Sequence, residues 1–101
     1  MYNNTHNKAT LIEYFKHVFE ERYLVEINIW SVKDIRYAEG FKYSFIFFDL
    51  QTKERILMDN HYPKSHHVHI DDEEFSYNFI NIQKVGKDFK KFVFNKFGVL
   101  L

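Results

Sequence analysis

Two hydrophobic periods run along the chain. Leu11, Tyr14, Phe15, Val18 and Phe19 recur at i, i+3, i+4, i+7 and i+8, with Glu13, Lys16, His17, Glu20 and Glu21 mostly off that stripe. This spacing predicts an amphipathic helix over about 9–21. From Tyr23 the period falls to two: Tyr23, Val25, Ile27 and Ile29 alternate against Glu26 and Asn28, the pattern of a half-buried strand. Lys33–Gly40 is charged and reads as a loop. Phe41–Asp49 is dense in Phe and Tyr and reads as a buried strand, followed by a polar turn at Asp49–Lys53. Arg55–Asp59 makes a third strand, His61–Ser65 a loop around the only proline, His66–Ile70 a fourth strand, Asp71–Glu73 a turn and Glu74–Phe79 a fifth strand. Asn81 can cap a last helix whose apolar stripe is Ile82, Val85, Phe89, Phe92 and Val93. Gly86 weakens that helix by roughly 1 kcal/mol against Ala. Gly98 is suited to end it.

The expected order is therefore helix, five strands, helix. Short turns join neighbouring strands antiparallel, because a parallel crossover needs a dozen or more residues. Two helices with apolar faces must bury them against the sheet, so the expected fold is α+β: an antiparallel sheet of five strands flanked by an N-terminal and a C-terminal helix. Residues 1–101 read as a single domain, with 1–8 as a flexible tail. The expected core is Tyr14, Phe15, Val18, Val25, Ile27, Phe45, Phe47, Leu57, Phe89 and Phe92.

Composition sharpens this picture. The chain has 101 residues, 20% of them aromatic, enough to fill a core in so short a sequence and to exclude intrinsic disorder. Lys plus Arg and Asp plus Glu are 14 each, so there is no global field to draw in a polyanion, and any nucleic-acid contact must come from a local patch. The absence of cysteine excludes disulfides, thiolate zinc sites and a cysteine nucleophile. No apolar run is long enough to span a bilayer, and Met1–Thr10 carries no signal-peptide core. A cytoplasmic protein with no membrane partner is expected.

The candidate chemistry is concentrated in Met58–His69, where four of the six histidines fall within nine residues. On a strand, His67 and His69 project from one face. Two imidazoles side by side can hold one phosphate or serve as acid and base in phosphodiester cleavage, since imidazole titrates near neutral pH. The same residues also fit an exposed strand face with merely solvated histidines. They fit a metal reading too, with His67, His69 and Asp59 as two nitrogens and a carboxylate, although no His-Glu-x-x-His helix accompanies them. Lys42 interrupts an aromatic strand; it either snorkels at a strand edge or reaches a phosphate and stabilises developing negative charge. Tyr77 and Phe79 share a strand face suited to the core, though the Tyr77 hydroxyl can donate to a phosphate. The lysines at 84, 87, 90 and 91 read as a solvated helix face.

In order, Glu26-Ile27-Asn28-Ile29-Trp30, Lys42-Tyr43-Ser44, Asp59-Asn60, His67-Val68-His69, Tyr77-Asn78-Phe79 and Asp88-Phe89 form a pattern over about residues 23–93. It resembles the TumE-like toxin family of type II toxin–antitoxin systems. The resemblance implies a toxin encoded beside a helix-turn-helix antitoxin, with cellular RNA as the target class. It puts Lys42, Asp59, Asn60, His67, His69 and Tyr77 at the family's recurring polar positions.

Two functions are then expected to compete. In the first, the protein is a metal-independent endoribonuclease needing no cofactor. His67 and His69 are acid and base, Asp59 orients an imidazole and Lys42 stabilises the phosphorane, while Asn60, Lys64 and Tyr77 bind substrate. In the second, it is a non-catalytic binding module that docks a partner or a second copy of itself through surplus aromatic surface. The same surplus predicts a symmetric homodimer.

Overall fold

The computed structural model describes residues 8–101; the expected tail lies outside them except for its last residue. Six strands are followed by one helix: β1 (Lys8–Phe19), β2 (Tyr23–Lys33), β3 (Phe41–Asp49), β4 (Arg55–Asp59), β5 (His67–Ile70), β6 (Glu73–Ser76) and α1 (Ile82–Phe97). The strands form one antiparallel meander in chain order. The class is α+β as expected, with a C-terminal helix on an antiparallel sheet.

The expected N-terminal helix is instead β1, so the sheet has six strands rather than five. Glu20 and Glu21 both take left-handed backbone (φ 54° and 51°), reversing the chain into a hairpin that Arg22 N closes on Phe19 O at 3.1 Å. Arg22 then locks this hairpin to the end of β3. Its guanidinium donates through Nε and Nη2 to the buried Asp49 carboxylate at 2.9–3.2 Å, and its carbonyl accepts from Leu50 N at 2.8 Å. Those charged hydrogen bonds hold the Asp49 carboxyl well below the usual carboxylate range. With β2 fixed beside it, the 8–19 stretch pairs antiparallel along the whole length of β2. Its Ile, Val, Thr and aromatic residues suit a pleat. A register shift between Leu11 and Glu13 puts an extra residue in the strand and disguises its period.

Period two then divides the sheet into two faces. Val25, Ile29, Tyr43, Phe45, Phe47, Ile56, Met58 and Val68 are buried on the face that α1 covers with Val85, Phe89 and Val93. The pairs Val25–Phe47, Ile27–Phe45, Phe47–Ile56 and Met58–Val68 run across the strands as continuous rows. Helix α1 is capped as its sequence indicates: Asn81 Oδ1 accepts from Lys84 N at 2.8 Å, and Gly98, left-handed at φ 70°, donates to Phe94 O at 2.8 Å.

The expected core needs revision where the helix reading failed. Val25, Phe45, Phe47 and Phe89 are buried, and Ile27 and Phe92 pack on the cluster half-buried. Tyr14, Phe15 and Val18 are exposed, because a strand divides them between two faces and α1 lies over neither. Leu57 is half-buried and paired with Ile46 and His69 on the opposite face. The fourth and fifth strands are shorter than expected: His66 precedes β5, and Tyr77–Phe79 leave β6 to run toward α1. Among the described residues no helix is long and apolar enough to cross a membrane.

Candidate functional site

The uncovered face of β4, β5 and β6 carries a chain of charged side chains. Asp59 lies directly opposite His67, Leu57 opposite His69, and His69 opposite Glu74, so Asp59, His67, His69 and Glu74 all share this face. His67 Nε2 stands 2.9 Å from Asp59 Oδ1, and its Nδ1 is 2.7 Å from the Ser65 carbonyl. Both ring nitrogens therefore have a partner, and with its side chain only 8% exposed the ring is held in place. The His69 ring packs edge-on against it, centroids 4.8 Å apart. Burial, then the neighbouring His67, push the His69 imidazole below its ordinary value. His69 therefore lies on the neutral, proton-accepting side at physiological pH. Asp59 thus stands against His67 rather than His69.

Glu74 completes the row. Its Oε1 is 3.6 Å from His69 Nε2 and accepts from Lys64 Nζ at 2.7 Å. That contact with Lys64 keeps the Glu74 carboxyl below its usual range. Lys64 thus stands beside the histidines, its ammonium paired with Glu74. Glu74 was not among the expected site residues. Its signal was the two-residue turn Asp71-Asp72, which sets Ile70 against Glu73 and hence His69 against Glu74.

Three expected site residues stand elsewhere. Asn60 is buried and spends its amide on the backbone of β3: Oδ1 accepts from Tyr43 N at 3.0 Å and Nδ2 donates to Phe41 O at 2.8 Å. It extends the β3–β4 ladder past Asp59 and has no free polar edge for a ligand. Tyr77 lies on the helix side of the sheet, where its hydroxyl donates to Asp88 Oδ2, whose other oxygen takes Lys84 Nζ at 2.6 Å. Burial and Asp88 raise the Tyr77 phenol above its ordinary range, so it stays a neutral donor to α1 and is remote from His69. Lys42 shares the open face but sits on β3 one pair beyond Ser44, which faces Asp59. It lines a separate depression with Arg36, Tyr37, His61 and Tyr62. The sheet thus brings together Asp59, His67, His69 and Lys64, with Lys42 diagonal to Asp59 on the same face and lining the neighbouring depression.

His66 shows how one step in sequence changes the chemistry. Its ring stacks on Phe79 and Tyr43, with centroids 4.4 and 5.6 Å away. Nδ1 meets the Tyr43 hydroxyl at 2.8 Å and Nε2 meets Glu39 at 3.1 Å. Burial raises the Tyr43 phenol, which therefore remains protonated to donate to Nδ1. Both ring nitrogens of His66 thus have a partner.

Among the described residues no three His, Asp or Glu side chains converge as a metal-binding group; the nearest approximation, Asp59 with His67 and His69, is tied up in the pairing above. Comparison with protein-family models, curated proteins and solved structures finds no match to this chain.

Proposed function

We propose that this protein is the toxin of a type II toxin–antitoxin pair, acting in the cytoplasm as a metal-independent endoribonuclease held in check by a helix-turn-helix antitoxin. The observation that carries the reading is a proton-accepting His69 on an open sheet face, flanked by the Asp59-paired His67 and by Lys64. The ordered motifs that resemble the TumE-like family support it independently. The unprotonated ring nitrogen of His69 takes the proton of a ribose 2′-hydroxyl, and the 2′-oxygen attacks the adjacent phosphorus. The P–O5′ bond breaks, leaving a 2′,3′-cyclic phosphate, and the 5′-oxygen departs with a proton from solvent. Lys64 sets positive charge against the phosphorane beside the His67 ring, and Asp59 acts as the positioning residue that holds His67. Trp30 and Lys42, paired across β2 and β3 on the same face, offer a base-stacking surface and a phosphate contact farther along the strand.

The test is incubation of the purified full chain with labelled RNA in EDTA. Cleavage to cyclic-phosphate ends that His69→Ala abolishes is expected. Cleavage only when a divalent ion is restored would replace the mechanism with a metal-assisted one. No cleavage in either buffer would leave the protein a binding module.

A further inference from the structure

The two edges of the sheet are built differently. β6, at one edge, has four residues and carries Glu73 and Glu74, which is how natural sheets discourage further pairing. β1, at the other, is a 12-residue strand without proline, and Leu11, Ile12, Tyr14, Phe15 and Val18 are each about half exposed on it. Its inner face borders an apolar cavity of about 390 Å³ whose walls include Phe15, Phe19, Ile27, Phe89 and Leu101. We propose that β1 pairs antiparallel with β1 of a second copy of this chain, making one sheet of twelve strands about a two-fold axis at Phe15.

The register follows from symmetry and charge. A two-fold axis normal to the sheet keeps helix-side residues opposite helix-side residues, so the numbers of facing residues must sum to an even value. A sum of 32 sets Lys16 against itself, and a sum of 28 sets Lys16 against Ile12. A sum of 30 sets Phe15 against Phe15, Glu13 against His17 and Tyr14 against Lys16. It also seats the bulged Leu11 and Ile12 together opposite Val18 and returns Thr10 to Phe19, so the bulge that breaks the period within β1 is accommodated in the pairing. Glu13 then faces a ring that can donate a hydrogen bond to it, and Leu11, Ile12, Phe15 and Val18 find apolar partners. The two cavities meet at the axis, where each copy's Phe15 borders the other's opening. The pairing leaves His69 and the opposite edge of each sheet free.

Because the chain has no cysteine, single cysteines read the register directly. Directly facing Cα atoms in an antiparallel pair lie about 4.5–5.5 Å apart, within disulfide reach. On oxidation, Phe15→Cys should run as a covalent dimer, whereas Tyr14→Cys and Lys16→Cys should not. Light scattering should give the unmodified full chain the mass of a dimer. Glu13→Lys should shift it toward monomer, and Glu13→Lys with His17→Glu should restore it, with circular dichroism unchanged throughout. A monomer at high concentration overturns the proposal. So does a dimer that cross-links at position 14 or 16 instead, or one indifferent to the charge swap.

Discussion

The two faces of one sheet carry opposite kinds of chemistry although they alternate residue by residue. On the helix side, Phe47, Ile56, Met58, Val85 and Val93 are fully buried, and the buried polar groups there work for the backbone or for one another. On the open side, Leu24, Ile46, Phe48 and Leu57 are only half-buried and sit among Glu26, Lys42, Asp59, His67 and His69. The difference comes from α1 and the segments flanking it: they exclude water from one face, where a volume change is costly, and leave the other more open. His66 and His67 are neighbours in sequence with different environments. The first packs against the rings of Tyr43 and Phe79; the second is bound between two acceptors on the open face.

This comparison breaks first if the helix side tolerates a cavity. Phe47→Ala should cost about 3–5 kcal/mol, read as the free energy of urea unfolding. A loss under about 1 kcal/mol would mean that α1 does not seal that face. The complementary test lies on the open side. His69→Ala should lower RNA cleavage by about 10²–10⁴-fold, yet move stability by no more than about 1 kcal/mol. If the activity lost is only the activity of unfolded protein, the open face is structural too.

A finer test uses pH. His69 must be unprotonated to act as base, so cleavage should rise with pH through its folded value, which lies below that of an ordinary imidazole. His67→Gln removes the neighbouring imidazole that helps to lower His69, so the acidic limb of the rate profile should move to higher pH. An unmoved limb would assign the titration to another group. The sign for stability agrees: a histidine whose folded value is depressed contributes stability above its unfolded value and loses it as pH falls through the folded one.

The smallest effect concerns Gly86 on the helix side. A Cβ there would meet only Phe45 Cε2, at 3.9 Å, an ordinary contact. Gly86→Ala should therefore stabilise the protein by up to about 1 kcal/mol in thermal unfolding. A destabilised variant would show that α1 packs closer to β3 than this contact allows.

Much of this molecule is set by local sequence. The alternation in β2, β3 and β4, the capping of α1 by Asn81 and its end at Gly98 follow from period, propensity and backbone sterics, which act over a few residues. So does the placing of His67 and His69 on one face. What local pattern could not decide was whether residues 8–19 coil or extend, because their apolar residues satisfy a helical stripe and a two-faced strand equally. Arg22 reaching Asp49 across 27 positions decides it, together with a β2 edge open to pairing. Nor could pattern assign Asn60 to the β3 backbone or Tyr77 to Asp88 on α1. Each depends on how segments distant in the chain pair and pack. Sequence determined which residues could carry charge or fill a core; tertiary contact decided which of them meet, because burial and pairing are settled between segments far apart in the chain.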